Sequence, residues 1–448
     1  MRNLMYKRVF VVAFAILAFA SQSFTQSVKT DNITAQAELV TEFDVNGLKV
    51  IVKRRAAAPT VAAGLFIRGG SRNISEKNAG VERLMLASAV EAGKNIPRAT
   101  VRRELSRTGS GIGSAVSNDY SAVSLASTRQ NFDRVWEIFT DVTLNPAFAA
   151  EDIQRNKDVI ITGLRESEIS PDGALQALHD RVIFAGHPYS NEVNGTASII
   201  SGLTADDLRT YHKNTMQTSK LLLVFVGDLD ADDLKTRIAA SFGKLPRGDY
   251  KDSPYPRIDF SKGTVDVTPR NLPTNYIQGS FSAPTLGDHE YYPMLVATSV
   301  LQTLVYQEVR IKRQLSYAPG AEMNNFAANT ANISVTATDA NAAVGVMLDQ
   351  IGFLRNRLLN DEIISEVAEF YLIKYYLGQE TNAAQVGELA RYELIGGGWR
   401  NSFEIINRIR EVKPEDVRRV SNKHMKNIRF AVVGNQLAVD RSIFLRTE

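Results

Sequence analysis

Histidine is the residue type that would most readily indicate metal chemistry in this chain. The sequence contains five: His179, His187, His212, His289 and His424. A helical zinc site needs two histidines four residues apart, because that spacing places both imidazoles on one face of the helix. No two of the five have it. The sequence therefore predicts no helical zinc site, and the only alternative is a site assembled from scattered histidines.

Other residue types with catalytic potential form no clear pattern either. The chain has no cysteine, which excludes disulfides, thiolate metal ligands and cysteine nucleophiles. Asp119, Glu166 and Glu168 are isolated acids, typical of solvated faces rather than of a general acid–base pair. The glycine-rich segment 110–114 lacks both the lysine of a phosphate-binding loop and the glycine spacing of a dinucleotide site. We expect it to begin a strand.

Local patterns predict the elements that would position any site. Asn46-Gly47 separates two alternating apolar runs, and this dipeptide favours a hairpin because both turn residues need positive φ. Residues 61–67 are typical of a buried strand. Residues 80–92 are rich in Leu, Met, Val and Ala and predict a helix.

An internal repeat sets the domain organisation. Residues 203–212 match residues 412–421, and each segment leads to an apolar strand that ends in glycine, at Gly227 and at Gly434. Two similar α/β units therefore follow one another. A segment rich in proline and charge separates them. We predict an N-terminal unit over 37–245, a linker over 246–262 and a C-terminal unit over 263–448.

The N-terminal region predicts export. Residues 1–20 combine three cations with an apolar run and the small-residue pattern Ala18-Phe19-Ala20, typical of a cleaved signal peptide. An uncleaved membrane anchor is the alternative, if the apolar run extends past Ala20. We expect residues 21–36 to be a mobile polar leader, and no stable membrane span in the mature protein. Without disulfides, an exported chain fits a periplasm best.

Composition limits the remaining function classes. The chain is 44% hydrophobic and 23% charged, which is ordinary for a globular protein. Its net charge of +3 equals the three cations of the signal peptide, so the mature chain is close to neutral. This balance gives no support to nucleic-acid binding or to binding of anionic membranes.

The order of short sequence words across residues 40–440 resembles the pitrilysin–insulinase family of zinc peptidases, which includes the mitochondrial processing peptidase. The words are Gly186-His-Pro-Tyr189, Gly195-Thr196, Val226-Gly-Asp228, Tyr306-Gln-Glu-Val-Arg310, Leu315-Ser-Tyr317 and Gly396-Gly-Gly398. The resemblance implies an α+β fold of two homologous sandwich domains of about 200 residues. Each would have a mostly antiparallel sheet with helices on one face, and together they would form half of a clam-shell chamber.

In the frame of that family, the zinc residues are substituted. The His-x-x-Glu-His motif falls on residues 83–87, so that Arg83 and Ala87 replace the two histidines and Leu86 replaces the general-base glutamate. The third ligand falls on Gly163. The resemblance therefore implies a degenerate zinc motif, no catalytic residues of its own and no cofactor in this chain.

The resemblance also assigns substrate-side residues in the second unit. Family members have an Arg and a Tyr at the spacing of Arg310 and Tyr317, where the Arg holds the peptide and the Tyr donates to the oxyanion. The loop Gly396, Gly397 and Gly398 touches substrate in the same frame. Spacing alone favours the alternative of a surface Arg, near Lys312 and Arg313, and a half-buried structural Tyr.

Together these features predict a non-catalytic, substrate-binding subunit of a periplasmic two-chain zinc metallopeptidase. A partner of the same family with an intact His-x-x-Glu-His motif would form the heterodimer and hold the zinc, and peptides would be the substrates. The alternative is a structural or assembly subunit, similar to the core proteins of the cytochrome bc1 complex. A pseudo-peptidase that binds peptides without cleavage is a further alternative.

Overall fold

The computed structural model describes residues 31–446, so the predicted signal peptide 1–20 and the first part of the predicted leader lie outside the described residues. The strands are β1 (Val40–Val45), β2 (Leu48–Arg54), β3 (Thr60–Arg68), β4 (Gly111–Val116), β5 (Tyr120–Thr128), β6 (Leu221–Gly227), β7 (Thr264–Pro269), β8 (Asn275–Ser282), β9 (Gly320–Met323), β10 (Thr330–Ala337) and β11 (Arg429–Gly434).

Most of the other regular elements are α-helices. They are α1 (Asp31–Thr34), α2 (Val81–Ala89), α3 (Arg98–Thr108), α4 (Phe132–Leu144), α5 (Ala150–Ile169), α6 (Pro171–Ile183), α7 (Ala197–Gly202), α8 (Ala205–Thr215), α9 (Ala231–Ala240), α10 (Tyr291–Val305), α11 (Ala340–Asn356), α12 (Asp361–Gly378), α13 (Asn382–Ile395), α14 (Ile405–Arg410), α15 (Pro414–His424) and α16 (Arg441–Phe444). A π-helix over Tyr306–Lys312 continues α10.

The first unit contains a six-stranded sheet in the order β1-β2-β6-β3-β5-β4. Only the β2–β6 pair is parallel. The predicted hairpin joins β1 and β2: Asn46 and Gly47 have φ values of 55° and 82°, and the Asp44 carboxylate accepts a hydrogen bond from the Gly47 amide at 2.8 Å. The hairpin prediction is confirmed, as is the strand predicted over 61–67.

The second unit repeats this arrangement with a five-stranded sheet in the order β7-β11-β8-β10-β9, in which only β7 and β11 are parallel. The repeated sequence segments form α8 and α15, and these helices lead to the central strands β6 and β11. The mixed α/β architecture with two mostly antiparallel sheets agrees with the predicted fold class.

The structure adds an exchange of helices between the units that the sequence did not predict. Helix α13 of the second unit packs on β3 and β6 of the first sheet. In return, α6 of the first unit packs on β11 and β8 of the second sheet. The sequence predicted helices on one face of each sheet, whereas the exchanged helices also cover the opposite face. Residues 221–227 of β6 are consequently all buried.

Three apolar clusters hold the fold together. One fills each unit, and the third joins the first sheet to the exchanged helix. Ile33 is 2% exposed and belongs to this third cluster, together with Trp399 and Phe403. The last part of the predicted leader therefore packs on the second unit.

The segment between the units, 246–262, contains no helix or strand but is tied to the first unit. The Tyr255 hydroxyl donates to the carbonyls of Gly69 and Asn118, both at 2.9 Å, and the Arg72 guanidinium stacks on the Tyr255 ring at 3.8 Å. Within residues 31–446, no helix is long and apolar enough to cross a membrane.

Candidate functional site

Helix α2 carries the residues that the family resemblance aligns with the zinc motif, and their side chains do not suit a metal. Arg83 is half-buried and donates a hydrogen bond to the Asn194 carbonyl at 3.1 Å. Burial lowers the pKa of its guanidinium, but arginine remains cationic in proteins and repels Zn²⁺. Leu86 is 1% exposed and packs in the core of the first unit, while Ala87 offers no donor atom. None of these side chains can replace the family's ligands or its general base.

Gly163 lies on the neighbouring helix α5 and has no side chain that could bind a metal. It is exposed, and a Cβ atom added there would have no atom within 4 Å. Helices α2 and α5 still pack together, with Asn156 3.4 Å from the Ser88 hydroxyl. The two helices that the resemblance assigns to the zinc site therefore pack together, but the residues at the aligned positions do not fit zinc.

Sequence reasoning missed a buried glutamate on the same helix. Glu82 is 4% exposed and accepts hydrogen bonds from the Tyr211 hydroxyl and from Asn73, the latter at 3.3 Å. Its second carboxylate oxygen has no hydrogen-bond partner among residues 31–446. No sequence signal distinguishes Glu82 from a solvated helical acid, because its burial depends on α8 packing over α2.

The histidines serve local structure. The Tyr189 amide donates to His187 Nδ1 at 3.1 Å, so the ring proton is on Nε2, which donates to the Pro256 carbonyl at 3.0 Å. This agrees with the predicted role of His187 as a hydrogen-bonding loop residue. His212 lies 2.8 Å from the Thr143 carbonyl. No group of three or more metal-ligating side chains occurs in the described part of the chain.

His179 lies between a serine and an acid, which is the arrangement of a hydrolase triad. Its Nε2 is 2.7 Å from the Ser280 hydroxyl, and its Nδ1 is 3.0 Å from Asp180. However, Ser280 is fully buried on β8 and also donates to Asn332 at 2.6 Å. A nucleophile must reach its substrate. We therefore interpret this triad as a polar link between α6 and the second sheet.

Arg310 and Tyr317, the predicted substrate-side pair, lie together on the surface of the second unit. The Arg310 guanidinium stacks on the Tyr317 ring at 3.8 Å and donates to the Tyr317 carbonyl. The Tyr317 side chain is 81% exposed, so the alternative of a half-buried structural tyrosine is wrong. Lys312 and Arg313 both pair with Glu308, whereas no ion pair holds Arg310 among the described residues.

The predicted glycine loop forms a tight turn that faces a cavity between the units. Gly397 and Gly398 have φ values of 77° and 122°, which only glycine adopts readily, and the Gly398 amide donates to the Tyr392 carbonyl at 3.0 Å. The next residue, Trp399, donates through its indole to Glu42 of the first unit at 2.9 Å. Both units therefore anchor this turn.

The cavity beside Gly397 has a volume of about 690 Å³ and is lined by residues of both units and of the linker. At its edge, the Asp119 carboxylate accepts hydrogen bonds from the Tyr189 hydroxyl and from the Ala327 amide, the latter at 3.1 Å. Burial raises the pKa of Asp119 to about 6. Asp119 is therefore a contact between the units, not the solvated acid that the sequence predicted.

The fold of two similar units and the matches to family models define the class of this protein. Models of known families match most of the chain: insulinase (peptidase family M16) matches residues 49–197, and peptidase M16 inactive domain matches residues 202–370. The chain belongs to the insulinase family, M16.

Relatives of the chain carry different names. An uncharacterized zinc protease of Mycobacterium tuberculosis is 22% identical over 403 residues, which is 87% of this chain and 91% of the relative. The mitochondrial-processing peptidase subunit beta of Blastocladiella emersonii is 22% identical over 87% of this chain and 86% of its own length. Subunit 1 of the bovine cytochrome b-c1 complex is 23% identical over 57% of this chain and 54% of its own length.

The fold also has relatives among solved structures. The crystal structure of a peptidase M16 inactive domain from Pseudomonas fluorescens superposes with a TM-score of 0.81 at 18% identity, covering 90% of this chain and 99% of that one. At this identity the likeness shows the fold alone.

Proposed function

We propose that this chain is the non-catalytic, substrate-binding subunit of a two-chain zinc metallopeptidase that acts on peptides in a periplasm. A partner of the same family, with an intact His-x-x-Glu-His motif, supplies the zinc and the general base. This chain supplies Arg310 and Tyr317. The observation that carries the proposal is the contrast between the two units, because the first lacks every metal-site residue while the second presents an exposed, stacked Arg–Tyr pair.

The surroundings of the pair support a role outside this chain. A phenol ring that is 81% exposed contributes little to folding, and the Tyr317 hydroxyl has no hydrogen-bond partner within residues 31–446. Stacking under the guanidinium of Arg310 holds the ring in place. A fixed ring with a free donor is pre-organised to stabilise charge that develops on a substrate oxygen.

Backbone recognition of the peptide fits the same role. Strand β4 is the edge strand of the first sheet, and none of its residues is buried. Its sequence, Gly-Ile-Gly-Ser-Ala-Val, carries no charge or proline that would oppose a further strand. A peptide added to this edge would bind mainly through its backbone, which tolerates many sequences.

The test is to purify the chain alone and with a family partner that has the intact motif, and then to measure zinc content and peptide cleavage. We expect zinc and activity only in the pair. Replacing Tyr317 with Phe removes one donor to the oxyanion, so turnover by the pair should fall about 100-fold while the pair still assembles.

Tyr376→Phe is the matched control, because Tyr376 is also exposed, at 41%, and lies elsewhere, on α12. It should leave turnover unchanged. Zinc-dependent cleavage by the lone chain would refute the proposal. Equal turnover of Tyr317→Phe and wild type would refute the role given to this residue.

A structural or assembly role is the second candidate, favoured by the likeness to subunit 1 of the bovine cytochrome b-c1 complex. In that case the chain would assemble with its partner, but variants of Arg310 and Tyr317 would have no effect on any activity of the complex. The same experiment therefore separates the two candidates.

A further inference from the structure

A second, larger cavity lies within the C-terminal unit, away from the Arg310–Tyr317 pair. It has a volume of about 1020 Å³ and lies between α10, α12, α13 and β9. Neither Arg310 nor Tyr317 lines it. Its volume is at the upper end of the range for cavities that bind small molecules, so it can hold a short peptide segment.

Aromatic and aliphatic side chains form the walls of this cavity. They include Tyr291, Leu295, Val367, Phe370, Tyr371 and Tyr392. The wall is strengthened by a contact at 3.1 Å between the hydroxyls of Ser299 on α10 and Tyr371 on α12. Such walls favour a bulky apolar group, because burying it removes its surface from water.

Among the polar residues that line the cavity, Arg391 and Tyr375 lack hydrogen-bond partners within residues 31–446. The Arg391 guanidinium is half-buried and has neither a hydrogen bond nor an ion pair within residues 31–446; it lies 5.3 Å from the centre of the Tyr392 ring. Tyr375 is 7% exposed, and its buried hydroxyl has no hydrogen-bond partner in the same part of the chain. Buried polar groups without partners are uncommon, and each is a place where a ligand could bind.

No acid that faces the cavity forms an ion pair or hydrogen bond with Arg391 within residues 31–446. Glu388 lies one helical turn away and accepts a hydrogen bond from Gln379 at 2.7 Å. Burial raises the pKa of its carboxyl, although the charge of Arg391 acts in the opposite direction. Glu322, Glu366 and Lys374 are exposed residues at the rim. Arg391 is therefore a half-buried cation without a direct ion pair, next to apolar walls.

We propose that this cavity binds the C-terminal end of a peptide whose last residue is bulky and apolar. The terminal carboxylate pairs with Arg391, the Tyr375 hydroxyl donates to the same end, and the side chain occupies the aromatic wall. The inference rests on the proposed peptide-binding role and specifies which end of the substrate this chain holds.

The outer face of α12 offers a path for the residues that precede the peptide end. Phe370, Ile373 and Leu377 are 56%, 62% and 60% exposed and follow one another at helical spacing. Phe370 also lines the cavity, so this apolar stripe is continuous with it. An exposed apolar stripe that leads into a cavity is typical of a binding surface.

Fluorescence anisotropy on the full chain, without any partner, tests the assignment. The probe is a labelled pentapeptide that ends in Phe with a free carboxylate, compared with the same peptide as its C-terminal amide and with one that ends in Ser. Charge-assisted hydrogen bonds predict that the amide binds about 10- to 100-fold more weakly. The peptide ending in Ser should also bind more weakly.

Arg391→Gln should reduce binding of the acid to the level of the amide, and Tyr375→Phe should weaken it several-fold. Arg408→Gln is the matched control, since this half-exposed arginine lies outside the cavity; it should bind like wild type. Circular dichroism verifies that each variant is folded. If Arg391→Gln does not fold, the proposal is tested by the affinities of the wild-type chain for the acid and the amide and by the affinity of Tyr375→Phe for the acid.

Equal affinity for the acid and the amide would overturn the proposal, as would undetectable binding of every peptide. Tighter binding of decanoate than of the peptide would instead assign the cavity to a lipid-like acid. The assay involves neither zinc nor cleavage. A negative binding assay would therefore not contradict the role proposed for Arg310 and Tyr317. Conversely, if variants of Arg310 and Tyr317 did not affect turnover, peptide binding by the lone chain would be unchanged.

Discussion

The exchange of helices between the units predicts that they unfold together, and Leu389 is the residue that tests this. Leu389 lies on α13 of the second unit, is 2% exposed and packs against the first sheet in the cluster that joins the units. Replacing it with alanine removes buried methyl groups and leaves a cavity. Such changes cost about 2–5 kcal/mol in the free energy of unfolding.

The two tryptophans allow unfolding to be followed by fluorescence. Trp136 lies in the core of the first unit, and Trp399 lies at the junction between the units. In a Trp399→Phe background, fluorescence reports only on the first unit. We expect Leu389→Ala in the second unit to lower the urea midpoint of this Trp136 signal. If both units unfold in one cooperative transition, a lower free energy of unfolding in either unit destabilises both.

Leu377→Ala is the matched control. The same chemical change is made at a side chain on α12 that is 60% exposed, and we expect an effect below about 0.5 kcal/mol. If Leu389→Ala leaves the Trp136 midpoint unchanged, the first unit does not depend on the exchanged helix. The reasoning from the shared apolar cluster would then be wrong.

Two further predictions concern pH. The pKa of Asp119 is raised from 3.8 to about 6 in the folded chain, so the stability that its protonated form provides is present below about pH 4 and is lost as the pH rises through 6. Relative to Asp119→Asn, wild type should lose up to about 3 kcal/mol between pH 4 and pH 7.5 in urea titrations, and identical pH profiles would contradict this. Glu42 behaves in the opposite sense, because hydrogen bonds from Trp399, and then from Arg400 and Lys49, lower its pKa to about 2. Its contribution is present above about pH 4.5 and is lost as the pH falls through 2, so Glu42→Gln should lower the urea midpoint at pH 7 and have little effect near pH 2.

The candidate site could be predicted from the sequence only in part. The absence of paired histidines was apparent from residue order, since ligand chemistry depends on residue type. The substitutions at Arg83, Leu86, Ala87 and Gly163 were implied by the family resemblance. The positions of Arg310 and Tyr317 came from the family resemblance, and the structure supplies their exposure and stacking. Arg391 carried no signal, because nothing in its own helix shows that it faces a cavity without a partner.

The sequence by itself determined the local elements and their repetition. The Asn46-Gly47 turn follows from backbone conformations available to two residues, and the repeat follows from similar segments at similar spacing. The tertiary structure alone decided that α6 and α13 cross to the other unit, that Asp119 meets Ala327, and that Glu82 is buried under α8. The physical reason is that these contacts join residues far apart in the chain. Burial and pairing across such distances depend on how whole elements pack, which no local pattern records.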